Sequence, residues 1–513
     1  MINAIGRDIP DYIEGFGQVK HYRGAFATLP GGNAYGPPIR ASRPGAVKVC
    51  SGLEELFKLL GLKSGMTFSF HHHLRNGDEV VNQVLAVAAK LGLKDIGVSL
   101  TAAFATHAPM IGHINNGVVT SLRTSGVYGP LAVAISGGLL PGPVVLHTHG
   151  GRPRAMAGGE HRVDVAFVAA PAADERGNVS GVSGPSACGS LGYAFSDADY
   201  ASVVVAVTDN LVPFPLAPAS IPQNKVDFVV TVDSLGDPQG IVSGTTKVTK
   251  DPVGLKIADT AAKAILASGL LKDGFSFQTG AGGASLAAAH YVGRMMREGR
   301  IRGGFALGGI TGYMVDMLEE GLFKNLYDVQ SFDLESVRSL GRNPSHLEVS
   351  ADLYANPFNP GCLVNDLDVV ILGATEIDVG FNVNVVTGSD GVLMGAAGGH
   401  PDTAAGAKMT VIVTTLLRSR LPIVVDRVIA ATTPGETVDV LVTEYGLAVN
   451  PERPELRERF IKAGLEVKDI HELKALAQSI AGVPERIPQG ERIVALVEYR
   501  DGTIIDVVRE AAE

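Results

Sequence analysis

Three short segments carry residue types that could do chemistry. The first is Phe70-His-His-His-Leu-Arg-Asn-Gly-Asp78, at the end of an apolar run. Adjacent histidines project in different directions, so His71, His72 and His73 make a poor single metal site. With Arg75 they suit a polycarboxylate, because a guanidinium can grip a carboxylate through two parallel hydrogen bonds. A buried histidine with two surface neighbours is the plainer reading. Arg152 and Arg154, in His-Gly-Gly-Arg-Pro-Arg, form a second basic spot that an exposed loop would explain equally well.

The second segment type is glycine-rich. Gln278-Thr-Gly-Ala-Gly-Gly283 follows a predicted strand and precedes a predicted helix. Gly280, Gly282 and Gly283 would let a ligand approach the backbone and the free N–H groups beyond it; a tight turn would look the same locally. Gly398-Gly399, followed by Asp402, has the form of a backbone nest, or of a loop whose helix Asp402 caps. The third segment, Ala374 to Asn384, contains Glu376, Asp378 and Asn382. Composition favours turn residues there over catalytic carboxylates.

These segments need elements to hold them. Apolar runs at 97–100, 203–208, 369–372 and 410–414 read as buried strands, and 78–91 and 285–297 carry helical periodicity. Alternating strands and helices imply an α/β protein with mostly parallel sheets and helices on both faces. Arg500-Asp-Gly502 between two apolar runs, 493–499 and 503–508, predicts a hairpin and an antiparallel edge.

The chain also repeats itself. Lys63–Phe70 resembles Lys272–Thr279, Val163–Ala170 resembles Leu367–Ala374, Asn178-Val179 matches Asn382-Val383, and Val226–Thr231 resembles Val438–Thr443. The order is the same and the offset drifts only between 204 and 212 residues. A repeat this long means two similar domains, not a solenoid. The expected division is an N-terminal extension at 1–45, a first domain at 46–245 and a second at 252–513, joined near 245–252.

Totals bound the function. The 513 residues carry a formal charge of −10 with no basic block, which argues against nucleic acid as a partner. The uncharged stretch 124–146 has membrane-spanning length but is broken by glycine and proline, so buried strands and turns of a soluble core are expected there. Three dispersed cysteines (Cys50, Cys188, Cys362) suggest neither disulfides nor zinc, and the N-terminus has no signal-peptide pattern. Both fit a reduced, cytoplasmic compartment.

On these residues the chain resembles the coenzyme A transferase superfamily, and within it the citrate lyase alpha subunits. GRDIPDYIEGFG, FHHHLRNGD, SLRTSGVYG, HTHGGRPRAM, PAADERGNVSG and the run from Asn343 to Gly399 carry the closer resemblance. It implies two coenzyme A transferase-like domains. It also implies exchange of acetyl for citryl on the thiol of a carrier protein, through an acetyl–citryl anhydride. The thiol would be the CoA-like arm of a separate acyl carrier (gamma) subunit, with acetyl-CoA as surrogate and no group bound covalently to this chain. A citryl lyase (beta) subunit and self-association into a homo-oligomer are implied as well. The superfamily's acidic pattern falls on Ala374, Glu376, Asp378 and Phe381-Asn-Val-Asn384, making Glu376 and Asn382 the catalytic candidates. Its thioester loop falls on Gly398-Gly399, Asp402 and Gly406-Ala407. Gly280, Gly282 and Gly283 join that thioester site, while His71, His72, His73, Arg75 and Arg152 are assigned to citrate. The superfamily's nucleophilic glutamate aligns with Gly312, which disfavours a covalent glutamyl thioester. The rival readings are the transferase subunit of malonate decarboxylase, another acyl-CoA transferase, or a catalytically silent scaffold.

Overall fold

The computed structural model describes residues 1–30, 35–38, 45–242, 248–280, 282–485 and 487–511. Two large sheets dominate it. Across the first, the strands run Ile504–Ala511, Gln489–Glu498, Val144–Leu146, Val119–Thr124, Ile96–Leu100, Thr67–Phe70, Val165–Ala169, Val203–Thr208, Phe228–Thr231 and Val49–Cys50. Across the second they run His346–Glu348, Phe323–Ser331, Gly303–Ile310, Ser276–Thr279, Val369–Gly373, Met409–Val413, Val440–Thr443, Gly446–Val449 and Val467–Lys468. From Val144–Leu146 to Phe228–Thr231 in the first, and from His346–Glu348 to Val440–Thr443 in the second, the order of strands is identical. The smaller three-stranded sheets match too: Val179–Ser180, Ala172–Asp174 and Leu211–Val212 correspond to Val383–Asn384, Glu376–Asp378 and Val424–Val425.

The physical basis of the repeat is visible at its aspartates. Asp164 and Asp368 sit just ahead of equivalent strands and accept the N–H of Thr67 and Ser276, the first residues of the neighbouring strands, at 2.7 and 2.9 Å. Asp227 and Asp439 do the same for Val204 and Thr410 one strand further on. Each carboxylate satisfies an N–H at a strand start that the ladder leaves over. The recurring Val-Asp or Leu-Asp pair is therefore a sheet-starting device used in both halves.

Strands buried on both faces need apolar residues at every position, which is why they read as continuous runs. On one face of the first sheet Phe68, Phe70, Phe167 and Val205 pack against Val81, Val84 and Leu85 of the helix Val80–Lys90. On the other, Ala166, Val168 and Val204 pack against Ala194 and Ala198 of the helix Ala194–Tyr200. The second sheet is likewise covered by Pro252–Ser268 and Gly283–Gly299 on one side and Ile470–Ala481 on the other.

Two expectations change. The hairpin 489–511 forms as predicted, with Gly502 at φ 89, and its second strand is an antiparallel sheet edge. It pairs in parallel with Val144–Leu146, however, so the chain end completes the first sheet and 252–513 is not one unit. Residues 1–30 follow it: Asn3 donates to Ile505 O, Tyr22 N to Ile504 O, and Arg7 pairs with Asp506 at 2.9 Å. Stretch 124–146 contains the helix Gly129–Ser136, begun by a proline in its first turn, as well as strands and turns. Among the described residues, no helix is long and apolar enough to cross a membrane. Of the expected junction near 245–252, residues 245–247 lie outside the described residues.

Candidate active site

The carboxyl ends of the two sheets face one another across a chamber of about 750 Å³. That is where α/β sheets expose loops and free N–H groups to a ligand. The first half supplies His72, Arg75, Phe104, Tyr128, His149 and Tyr193; the second supplies Gln278, Gln330, Phe332, Tyr354 and the two glycine loops. The halves are locked by backbone contacts at its wall. Gly126 bridges to Ala396 and Thr148 to Gly398, and His149 N donates to Gly398 O at 2.8 Å. A Cβ on Gly126 would lie 2.3 Å from Ala396, so only glycine allows this approach.

Charge in the chamber is concentrated in one place. Arg75 is 6% exposed, and its Nε and Nη1 are buried with no hydrogen-bond partner. Its guanidinium lies over Phe332 at 4.5 Å and Phe104 at 5.5 Å from the ring centroids. Burial lowers its pKa from the ordinary value, yet an arginine stays charged in a protein. The backbone there is left-handed, φ 56. A strained residue holding an unpaired buried cation is costly, and such costs cluster at ligand sites.

The histidines around it are neutral. Burial pushes His149 down to about 3, helped by Arg152 and Arg75, and pushes His72 well below the usual imidazole range, helped by His149 and Arg75. His72 Nε2 lies 2.7 Å from Gln330 Oε1, and its Nδ1 is in contact with Thr101 Oγ1, which already accepts the His72 N–H. Thr101 therefore donates to Nδ1, leaving the imidazole proton on Nε2 for Gln330. Gln330 Nε2 returns a bond to His72 O at 3.0 Å. This exchange ties the Arg75 loop to the second sheet. Among the described lining residues the charged groups are Arg75, the exposed Arg418 and one carboxylate, Asp251, which is engaged in capping the N–H of Gly254. The chamber is thus positive within an acidic chain.

Comparison with known proteins decides what this chamber belongs to. Residues 46–511 match the family described as "Citrate lyase, alpha subunit (CitF)". The chain is 51% identical to the citrate lyase alpha chain of Escherichia coli (strain K12) over 466 residues, 91% of each chain. It is 49% identical to that of Klebsiella pneumoniae over 463 residues, 90% of this chain and 91% of the relative. The chain belongs to the citrate lyase alpha subunit family. A crystal structure from Streptococcus mutans, described as the alpha subunit of citrate lyase in complex with citrate, superposes over 100% of both chains with a TM-score of 0.96 and 48% identity. The alpha subunit of malonate decarboxylase from Acinetobacter baumannii shares the fold, with a TM-score of 0.64 at 17% identity over 85% of this chain and 93% of that one.

Against that family background, the structure sorts the sequence candidates. Gly280, Gly282, Gly283, Gly398, Gly399, His72 and Arg75 come together in the chamber. His71, His73, Arg152, Glu376 and Asn382 do not line it. His71 Nε2 accepts the N–H of Ala169 at 3.0 Å inside the sheet, and burial holds it down to about 3. His73 lies 3.4 Å from one Asp78 oxygen and His107 3.5 Å from the other, a fully buried cluster beside the Arg75 loop and outside the chamber. Arg152 is already matched, donating to Ser69 Oγ at 2.6 Å and Asp197 Oδ1 at 2.7 Å. Arg154 is held by Glu160.

Glu376 accepts from Asn384 Nδ2 and Ile429 N, while Asn382 bonds Asp378 and receives Gly435 N. The second contact of this kind exists in the other half, where Asn178 bonds Asp174. An arrangement present in both copies holds a turn, and the repeat itself carried that signal. Phe381 has φ 64 where the first copy has Gly177 at φ 93. Asp402 does not cap its own helix: it reaches into the first half, accepting from Thr148 Oγ1 and Gly150 N at 3.0 and 2.9 Å. Gly312 starts the helix Gly312–Glu319 and faces Glu335, so a side chain there would point away from the chamber, which this strand end enters through Gly309. The absence of a glutamate at 312 therefore excludes nothing; the informative fact is that no glutamate is among the described lining residues. Sequence reasoning missed His149, Tyr193, Gln278, Gln330 and Tyr354. The glutamines and the tyrosines are neutral and, apart from Gln278, which opens the first glycine segment, none of them stands in a motif whose residue types point to chemistry.

Proposed function

We propose that this chain is the transferase of a citrate lyase, exchanging acetyl for citryl on a carrier thiol. The single observation behind this reading is the unpaired guanidinium of Arg75, buried in a chamber otherwise lined by neutral donors and glycine backbone. A citrate carboxylate would supply the partner that Arg75 lacks, with His72, His149 and Tyr193 as neutral neighbours. A second citrate carboxylate attacks the acetyl thioester carbon; a C–O bond forms, the C–S bond breaks and thiolate leaves. The thiolate then attacks the citryl carbonyl of the resulting anhydride, forming citryl thioester and releasing acetate. No proton moves in either step, which suits a site whose histidines are held neutral. The chain's part is to align the reactants and to stabilise charge on the carbonyl oxygens.

The thioester arm belongs to a separate acyl carrier subunit in this reading. The glycines at 280, 282, 283, 398 and 399 leave room for it, and the exposed Arg418 at the rim faces its approach. The citryl lyase subunit, self-association and a reduced cytoplasmic setting complete the proposal, the last supported by three buried free cysteines. The test is incubation of the chain with acetyl-CoA and citrate. Citryl-CoA and acetate should appear together in equal amounts, and malonate should not replace citrate. Turnover of malonate alone, or no product at all, would overturn the reading.

A further inference from the structure

Tyr354 lines the chamber although it is only 2% exposed. It stands on the helix Ala351–Ala355, whose first turn is capped by Ser350 Oγ. Arg500 Nη2 donates to Ala355 O and Ala351 N to Gly192 O, so the helix is fixed from both sides. The phenolic oxygen lies 2.8 Å from Gln278 Nε2. It also stands directly above the thioester loop: a Cβ on Gly399 would be 2.4 Å from it. Gln278 is pressed from behind by Gly308, which at φ 105 would place a Cβ 2.7 Å from its amide.

The pair is incompletely satisfied. Gln278 Oε1 is buried without a partner, and among the described residues nothing accepts the Tyr354 hydroxyl proton. Turning the amide round would let the phenol donate to it but would leave the amide N–H groups unused. In either orientation one donor remains unspent beside Gly399, whose own N–H group has no acceptor among the described residues. Unpaired buried donors are costly unless a ligand completes them. Burial raises the phenol's pKa above its usual value, so it stays protonated.

We infer that Tyr354 is a catalytic residue of the acyl exchange, donating a hydrogen bond to the thioester carbonyl oxygen, with Gln278 as its positioning residue. The inference rests on the proposed transfer. As the carboxylate attacks, the C=O electron pair moves onto that oxygen; it returns as the thiolate leaves. The phenol keeps its proton throughout, since charge appears and disappears within one exchange.

The full chain provides the test. In Tyr354→Phe, kcat for acetyl-CoA plus citrate should fall about a hundredfold, the usual effect of losing one oxyanion donor, while both KM values stay within a few-fold. The infrared carbonyl stretch of bound 13C-acetyl-CoA, read without citrate, should lie lower in the wild type than in Tyr354→Phe. Installing 3,5-difluorotyrosine at 354 keeps the ring shape, strengthens the donor and should lower that stretch further. Gln278→Met should give an intermediate frequency. An unchanged carbonyl stretch, or a rise in citrate KM with kcat intact, would overturn the assignment. A wild type that shifts the carbonyl yet makes no citryl-CoA would instead sink the proposed function and leave the Tyr354 contact standing.

Discussion

Replacing Arg75 by alanine probes the one charge that the chamber leaves unmatched. Its guanidinium is 6% exposed, makes no side-chain hydrogen bond among the described residues and rests between two phenyl rings. The bound carboxylate is then its principal hydrogen-bonding partner, with no competing ion pair to dilute the effect. Truncating a buried charged hydrogen bond costs about 2–5 kcal/mol. At roughly 1.4 kcal/mol per decade, citrate KM should rise between about thirtyfold and a few thousandfold. Arg75→Lys should recover only part of this, because an ammonium lacks the planar fork. Acetyl-CoA KM should change little in both. Backbone strain offers a second reading of the same site. At φ 56 an alanine pays the left-handed penalty that glycine avoids, about 1 kcal/mol. Arg75→Gly should therefore melt higher than Arg75→Ala, the reverse of the usual ranking, with equally poor citrate use. Steady-state kinetics at saturating acetyl-CoA and thermal unfolding read both. Normal citrate kinetics in Arg75→Ala would refute the argument; Arg152 is already neutralised by Asp197, and the other cation among the described lining residues is the exposed Arg418.

Intact-mass analysis after incubation with acetyl-CoA should show no covalent acyl or CoA adduct, because no glutamate is among the described lining residues and Asp251 is occupied as a helix cap; a stable adduct would reverse the proposed order of steps. Gly399→Ala should cut transfer about a hundredfold, as ångström-scale misplacements do, since its methyl would fall 2.4 Å from a fully buried phenol; normal turnover would place the thioester elsewhere. Burial pushes Glu348 up from 4.5 to about 7. A raised folded pKa gives a stability contribution that is complete below about 4.5 and is lost as pH rises through 7. Glu348→Gln should thus gain on the wild type across that window, by on the order of 3 kcal/mol. Urea unfolding at pH 5 and pH 8 measures it, and a pH-independent difference would contradict the burial argument.

The repeated architecture was legible because its cause is local. An aspartate directly ahead of a strand does the same job at 164 and 368, and at 227 and 439, so the spacing survives as a readable pattern. The glycine loops were legible for a similar reason: strand, glycines and helix are contiguous. Arg75 and Arg152 show where reading stops. Each lies near the end of a predicted strand among histidines, and what separates them is Asp197, 45 residues from Arg152. Asn382 resembled a catalytic group until its copy at the first half's turn, Asn178 on Asp174, was compared; Glu376 aligns with Ala172 and is sorted only by its contacts to Asn384 and Ile429. The hairpin at 489–511 was predicted as a hairpin, but its destination could not be, since pairing with Val144–Leu146 spans more than 340 residues and leaves no periodicity to follow. Tyr354 and Gln278 meet only when the fold does.

That long-range pairing has a consequence for how the chain is made. Until residue 489 leaves the ribosome, Val144–Leu146 is an uncovered, wholly apolar edge, the kind that recruits stray strands. The second sheet, drawn from residues 276 to 468, can assemble before the hairpin is made; the first, although synthesised earlier, must wait for residues 489–511. The amino-terminal segment waits with it, because Asn3, Arg7 and Tyr22 are all seated on residues 504–506. Synthesis order and completion order are thus reversed, and a premature stop or a proteolytic nick near the carboxyl terminus would undo the opposite end of the molecule, exposing an aggregation-prone edge in the half that was translated first.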